Sequence, residues 1–321
     1  MTLPPISLDE LRFLGSGLRR PESVSVTQDG TLYACDARGG ICQICPDGNT
    51  TLIGRSRNAD QGFIPNGFCL MPDGNFLVAN IGSSGGIWLL DRAGNINPWL
   101  MSIEEMPLGM PNFVFRDWEG TIWISALPNR MPPVFAPGKF EGFIARVDAT
   151  GAKIVARDID IPNEIRIDPI RKLAYTNETF LGRMLQFRIN DDGVLVDRRV
   201  LAQFDPSDSL DGLEVDSEGY IWTTSIIVNR LYRIHPETGA CSKLLENCDA
   251  AWVARLVDAK ENGEISRAVL YEENSLALKN ISSIAFGGPD LKTVFLGSMA
   301  GSSIPYFTTS VAGIRPPHWD Y

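Results

Sequence analysis

Short stretches of alternating apolar and polar residues recur along the chain, and each is followed by a tight turn and a second apolar stretch. One copy runs from residue 161 to 168 and continues over residues 171–177. Alternation with a period of two is typical of a β-strand that buries one face. Steps such as Asp73-Gly74 and Glu119-Gly120 join the paired stretches and allow the positive φ that tight hairpins require. The pattern therefore predicts antiparallel strand pairs and an all-β protein.

Six copies of this unit can be aligned, and a polar residue stands near the start of each. These leading residues are Glu22, Asn66, Asn112, Asn163, Asp211, and Ser282 or Ser283. The first five follow one another at intervals of 44 to 51 residues, and the last interval is 71 residues. A period near this length with several short strands per unit is the mark of a β-propeller. We therefore predict an all-β, six-bladed β-propeller that occupies residues 1–321 as one domain.

Two segments depart from the repeat. The long last interval, residues 241–280, is interpreted as a decorated hairpin, within which residues 249–256 fit either a strand or a helical turn. The proline-rich segment 127–143 fits either a lid over the central pocket or a loop packed on an outer edge.

Charge and composition limit the classes of molecule that the protein is expected to bind. The chain is 44% hydrophobic and carries a formal net charge of -10, which suits a globular protein with a real core. An acidic protein is repelled by nucleic acid and by anionic membranes. The N-terminus lacks the basic and apolar regions of a secretory signal, and no apolar run approaches the roughly 18 residues of a membrane span. We expect a cytoplasmic protein that binds a small molecule, neither nucleic acid nor membrane; its oligomeric state is left open.

Several chemistries are disfavoured by what the chain lacks. The only histidines are His235, in a turn, and His318, in the C-terminal tail, which argues against zinc and against a Ser/His/Asp triad. Cys42 and Cys45 are three residues apart in a predicted strand, so their thiols point to opposite faces. We interpret them as structural thiols.

The leading residues supply the candidate chemistry. The first strand of each propeller blade runs along the central channel, so equivalent positions form a ring. Two carboxylates and several amides in such a ring are hard oxygen donors, which suit Ca²⁺ or, less selectively, Mg²⁺ or Mn²⁺, with Zn²⁺ the least favoured. The alternative is that Pro-Asn and Asp-Gly are simply turn formers ahead of strands.

Four of these steps carry a family resemblance. The segments 17–22, 110–112, 161–163 and 210–212, each leading a strand-turn-strand unit, resemble the SMP-30/gluconolactonase/LRE-like family over about residues 14–307. The resemblance implies a six-bladed propeller with a central divalent-cation site and, for most members, lactonase activity. It further implies that Glu22, Asn163 and Asp211 bind the cation. Asn112 then joins these ligands or contacts the substrate.

The implied mechanism is hydrolysis of a lactone by an activated water molecule. Asp211 would be the general base, and Asn112 would assist at the reacting group. Asn66 and Met110, at or near the leading positions of their blades, are the further candidates for substrate binding.

Departures from the family pattern affect the substrate. The usual Pro-Glu-Gly step is here Pro21-Glu22-Ser23, and Met110 stands where sugar-lactone members tend to carry a basic residue. This change favours a less polar substrate. Two alternatives stay open: the same scaffold acting on another electrophile, such as a phosphotriester, or in a non-hydrolytic step, and a non-catalytic propeller that binds a metal or a partner.

Overall fold

The chain forms a six-bladed β-propeller, as the repeat predicts. A computed structural model describes residues 3–272 and 277–321. Each blade is a four-stranded antiparallel sheet whose first strand lies innermost. The sixth blade takes its outermost strand, Arg12–Leu14, from the N-terminus, where Phe13 pairs with Pro305. This pairing joins the two ends of the chain and closes the ring.

The strands of the blades, from the innermost outwards, have the following bounds. Blades 1 to 3 are Val24–Val26, Leu32–Asp36, Gly40–Ile44 and Thr50–Gly54; Pro65–Leu70, Phe76–Asn80, Ile87–Leu90 and Ile96–Leu100; and Met110–Arg116, Ile122–Leu127, Gly142–Asp148 and Gly151–Ile159. Blades 4 to 6 are Pro162–Asp168, Leu173–Glu178, Arg183–Ile189 and Leu195–Gln203; Leu210–Val215, Ile221–Ser225, Arg230–Ile234 and Cys241–Glu246; and Ile281–Gly287, Thr293–Ser298, Ile304–Thr308 and the N-terminal strand.

The hydrophobic core lies between neighbouring blades. Apolar side chains from the facing sheets of each adjacent pair form one cluster; between blades 5 and 6, for example, Trp222 packs against Phe286 with ring centroids 5.2 Å apart. The same arrangement recurs at the other five blade contacts. Burial on both faces explains why second strands such as Phe76–Asn80 and Ile122–Leu127 read as nearly continuous apolar runs.

The hairpin turns follow the predicted chemistry. In blade 5 the carboxylate of Asp216 accepts the backbone N–H groups of Glu218 and Tyr220, and the indole of Trp222 donates to its second oxygen over 2.9 Å. Gly219 closes this turn with φ +80°, a conformation that favours glycine. Blade 3 repeats the device with Asp117 and Trp123.

The irregular segments meet over one mouth of the channel. The insertion after blade 5 contains helix α2, Ala250–Glu261, so the run left open by the sequence is helical; Asp249 begins it by accepting the N–H of Trp252 over 2.8 Å. Strand Val134–Phe135 of the proline-rich segment pairs with Ile265–Ser266 of the insertion. We call the proline-rich segment the strap and residues 249–272 the insert; residues 273–276 of the last interval lie outside the described part of the chain.

The remaining elements are short. They are helix α1, Ser56–Asp60, the 3-10 helices Leu8–Glu10 and Arg267–Tyr271, and the paired strands Ser102–Ile103 and Met106–Pro107. No helix in residues 3–272 and 277–321 is long and apolar enough to cross a membrane.

Candidate active site

A pocket of about 490 Å³, counting its open mouth, lies at the end of the channel where the inner strands begin. Its lining includes all the leading residues of the first five blades, together with Met110: Glu22, Asn66, Met110, Asn112, Asn163 and Asp211. The leading serines of blade 6 are not in this lining. The hydroxyl of Ser282 instead donates to the backbone carbonyl of Glu22 over 2.5 Å, and that of Ser283 accepts the N–H of Val24.

A β-bulge presents the leading residue in five of the six blades. The pairing of the inner strand with its neighbour skips Asn66, Asn112, Asn163, Asp211 and Ser282 respectively. A bulge frees a residue from the ladder and re-aims its side chain. In blade 1 the leading residue stands before the strand, and the N–H of Glu22 bonds to the carbonyl of Arg20, whose φ is +55°.

Glu22 and Asp211 are deeply buried, with 5% and 3% of their surfaces exposed. Oε1 of Glu22 accepts an N–H from Asn66 over 3.0 Å, whereas Oε2 has no hydrogen-bond partner among the described residues. Burial raises the pKa of Glu22, with Asp211 adding to the rise and Arg20 opposing it. Burial also raises the pKa of Asp211, and Glu164 adds to that rise. Burial therefore disfavours the ionised form of both carboxyls, which a bound cation would stabilise.

A third buried carboxylate, Glu164, lies beside this pair but has its own cation. It forms a salt bridge with Arg166 at 2.8 Å, and Arg166 also contacts Glu214 at 3.1 Å. Burial is the main reason that the pKa of Glu164 is raised, and Glu22 contributes. Arg166 is thus occupied by two carboxylates, which leaves Arg20 as the cation nearest to Glu22 and Asp211.

Asn66 links Arg20, Glu22 and Asn112. Its amide oxygen accepts from the Arg20 guanidinium, and its amide nitrogen donates to Glu22 and, over 2.9 Å, to the backbone carbonyl of Asn112. Asn112 is half-buried, and its side-chain N–H groups have no recorded acceptor in the described ranges. Asn66 is therefore fully engaged with protein, whereas Asn112 keeps free donors at the pocket.

Asn163 has its amide held on both sides. Its oxygen accepts the N–H of Glu164 over 2.9 Å, and its nitrogen donates to the hydroxyl of Thr179 over 3.1 Å. Its hydrogen bond to Asp211 lowers the pKa of that carboxyl. A half-turn of the amide would present oxygen in place of nitrogen to a cation.

These residues fit a hard divalent cation. Within residues 3–272 and 277–321 no three His, Cys, Asp or Glu side chains form a metal cluster, so the set depends on two carboxylates supplemented by amide oxygen. Such a cation would give Oε2 of Glu22 a partner and would favour the ionised form of the two buried carboxyls. Asp211 and Glu22 are on blades 5 and 1, so the ring closure brings them together.

The upper wall of the pocket is apolar and basic. Met110 is buried here in a cluster with Ile81, Met299 and Met131 of the strap, and the insert adds Leu270, Tyr271 and Arg267. The strap contributes Met131 to this wall, which fits its interpretation as a lid. Residue-by-residue reading missed Arg20 and Glu164, which flank the leading residues in sequence, and Arg267, which no repeat marks.

Comparisons with known proteins agree with the fold. The family model described as SMP-30/Gluconolactonase/LRE-like region matches residues 20–246. A 6-deoxy-6-sulfogluconolactonase of Pseudomonas putida is 26% identical over 243 residues, which are 72% of this chain and 67% of that protein.

Two solved structures share the fold. A gluconolactonase from Xanthomonas campestris is 17% identical with a TM-score of 0.67, covering 96% of this chain and 95% of its own. A calcium-binding protein, regucalcin, from Agrobacterium tumefaciens is 18% identical with a TM-score of 0.66, and the match covers 100% of both chains. The family model spans well over half of the sequence, and the chain therefore belongs to the SMP-30/gluconolactonase/LRE-like family.

Proposed function

We propose that this protein is a divalent-metal-dependent lactonase that opens a small-molecule lactone with water. The observation that carries the proposal is the pair of buried carboxylates, Glu22 and Asp211, at the floor of the pocket, one oxygen of which lacks a partner among the described residues. Such a pair is costly unless a cation occupies the site. The family and the named activity of the Pseudomonas putida relative support hydrolysis of a lactone.

Glu22, Asn163 and Asp211 would hold the cation, with Ca²⁺ preferred over Mg²⁺ or Mn²⁺ because the donors are carboxylate and amide oxygens. A bound divalent cation would polarise the lactone carbonyl and lower the pKa of a neighbouring water molecule. The pocket floor in blades 1, 4 and 5 thus supplies the ligands, and blade 3 supplies the substrate contact.

The chain's own groups would move the proton and orient the substrate. Asp211 accepts a proton from the attacking water while the water oxygen bonds to the acyl carbon. The ring C–O bond then breaks, and the proton passes to the leaving ring oxygen to give a hydroxy acid. Asn112 donates its free amide hydrogens to the substrate, and Asn66 positions Asn112 through the hydrogen bond to its backbone. Met110 contributes an apolar wall.

Substituting the two carboxylates tests this assignment. We expect Glu22→Gln and Asp211→Asn to lose bound metal and to lower lactone hydrolysis by about 100-fold or more, because each removes a charged ligand and the second removes the base. Metal content by mass spectrometry and acid release from a lactone panel are the two readouts. Asp258→Asn, an exposed carboxylate of helix α2, is the matched control.

If both variants retained full metal and full activity, the site assignment would be wrong. Phosphotriesters belong in the same panel, since release of acid from them and from no lactone would favour the other electrophile. Metal binding without turnover of any substrate would favour a non-catalytic propeller.

A further inference from the structure

The mouth of the pocket contains an arginine whose guanidinium has no protein partner in residues 3–272 and 277–321. Arg267 lines the pocket and is half-buried, and the structure records neither a hydrogen bond nor an ion pair for its side chain. The other arginines at the channel are occupied: Arg20 donates to Pro65 and Asn66, and Arg166 pairs with two carboxylates. Five donors held in a partly desolvated pocket require an acceptor.

The backbone of Arg267 is fixed at that position. Its N–H donates to the carbonyl of Pro133 in the strap over 2.8 Å, directly beyond the strand pair in which Ser266 faces Val134. Ser266 caps the following 3-10 helix by accepting the N–H of Ala268 over 3.1 Å. The side chain is therefore presented by a tied-down element and not by a loose loop.

The neighbours of Arg267 cannot neutralise it. Met131 and Leu270 beside it in the lining are apolar, and the nearby charged groups include Arg20 and Arg130. Burial lowers the pKa of Arg267; Tyr271 opposes this with a smaller rise, and Arg130 and Arg20 lower the pKa further. Arg130 is itself bonded to the carbonyls of Ile81 and Gly82 at the pocket rim.

This local positive charge contrasts with the composition of the chain. The protein has 39 acidic and 29 basic side chains, so two arginines at one mouth, Arg130 and Arg267, are not a reflection of its average surface. A planar guanidinium binds oxyanions through paired N–H···O bonds and is the group of choice for carboxylate, sulfonate or phosphate. The carboxylates of the site lie on the floor, whereas Arg267 enters from the insert above.

We propose that Arg267 binds an oxyanion substituent of the substrate, such as a carboxylate, sulfonate or phosphate, while the lactone ring lies on the floor between Glu22 and Asp211. This inference rests on the proposed lactonase function and adds the substrate class. It also revises the substrate expected from Met110. Blade 3 has Met110 in place of a basic residue, and Arg267 of the insert supplies a basic group instead. The pocket therefore takes a substrate with an apolar face and an anionic end.

The test compares two lactones that differ in one substituent, gluconolactone and its sulfonated counterpart. We expect the wild-type protein to prefer the anionic lactone. Arg267→Met should lower kcat/KM for the anionic lactone by about tenfold or more, chiefly through KM, because the contact is made equally in the ground and transition states. For the neutral lactone, kcat/KM should stay within about twofold, since its hydroxyl makes no ion pair. Arg267→Lys should restore part of the preference.

Arg255→Met is the matched control, because Arg255 is an exposed arginine of the same insert that stacks on Trp252 outside the pocket. An equal fall for both lactones, no fall for either, or the same pattern in Arg255→Met would overturn the inference while leaving the lactonase assignment intact.

If the wild-type protein hydrolysed neither lactone, the proposed function would fail and binding would decide the role of Arg267. Thermal shift with the ring-opened sulfonated acid as ligand is then the readout. If the ligand stabilises the wild type but not Arg267→Met, the anion site at Arg267 is supported. Equal stabilisation of both proteins would contradict it.

Discussion

At the scale of single residues, the pocket separates groups that hold one another from groups left free. The side-chain amide of Asn66 forms hydrogen bonds with Arg20, Glu22 and Asn112. In contrast, Oε2 of Glu22 and the amide hydrogens of Asn112 have no recorded protein partner in the described ranges. Free groups in a pocket are those that can meet a ligand. The two kinds of free group differ in charge, and we therefore propose that the Glu22 oxygen meets a cation and the Asn112 amide meets a substrate.

Asn112 can be distinguished as a substrate anchor by one substitution. We expect Asn112→Ala to retain bound metal and to lower kcat/KM by about tenfold, because one buried hydrogen bond to the reacting group is lost. Metal content and lactone kinetics are measured together, with the exposed Asn97→Ala as control. Loss of the metal in Asn112→Ala would make Asn112 a ligand instead.

The sequence alone predicts that repeated residues line the pocket. Glu22, Asn163 and Asp211 could be predicted to lie together because each stands at the same step of a blade, and the pocket lining confirms that placement; their role as ligands stays a prediction. Arg267 could not be found in this way. It is 247 residues from Arg20 in sequence and reaches the same pocket only because the insert folds back over the channel.

At the scale of elements, the inner strands and the two irregular segments have different tasks. The bulges at the starts of the inner strands aim polar groups into the channel, and the strap and insert place apolar and basic groups above them. The bulges occur at Pro-Asn and Leu-Asp-Gly steps, where the chain leaves the strand pairing. The glycine of the blade 5 step is required, because a Cβ on Gly212 would collide with the carbonyl of Ser282 in blade 6. The same residues therefore form the turns and line the channel, so the interpretation as turn formers and the interpretation as a ring of oxygen donors are compatible.

The C-terminal tail closes the opposite mouth of the channel. Its backbone bonds to blade 5 through Ser217 and Ala312 and to blade 1 through Gln28 and Trp319. His318, which sequence reading left in an unassigned tail, lies 2.6 Å from the hydroxyl of Ser25. Because the tail carries no repeat signal, its course could not be derived from the pattern of strands.

His318 makes this closure sensitive to acid. Burial lowers the pKa of His318 to about 4 from an ordinary value of 6.5, so the folded protein binds this proton more weakly than the unfolded chain. The stability contributed by His318 is full above pH 6.5 and is lost as the pH falls from 6.5 towards 4. We expect the difference in melting temperature between wild type and His318→Gln to shrink between pH 7.5 and about pH 5.

The control for that comparison is His235→Gln, which removes the other histidine from a turn of blade 5. A melting-temperature difference for His318→Gln that stayed constant or grew on acidification would contradict the account, because a charged His318 would then be tolerated at the closed mouth.

At the scale of the whole molecule, the ring unites residues that are far apart in sequence. Blade number, strand pairing and the common site of the leading residues could be predicted from the period, because each blade buries its apolar faces only against its neighbours. The closure of blade 6 by Arg12–Leu14 and the meeting of strap and insert could not, since each depends on one long-range contact without a repeat. The proposed function follows the same division: the repeated parts build the floor of the pocket, and we propose that the unrepeated parts select the substrate.

The most direct test of the central claim is removal of the metal from the intact protein. Lactone hydrolysis is measured before treatment with a chelator, after treatment and dialysis, and after addition of Ca²⁺, with metal content determined at each stage. We expect activity to fall by about 100-fold or more when the metal is removed and to return when Ca²⁺ is added. Full lactone hydrolysis by protein that contains no divalent metal would contradict it.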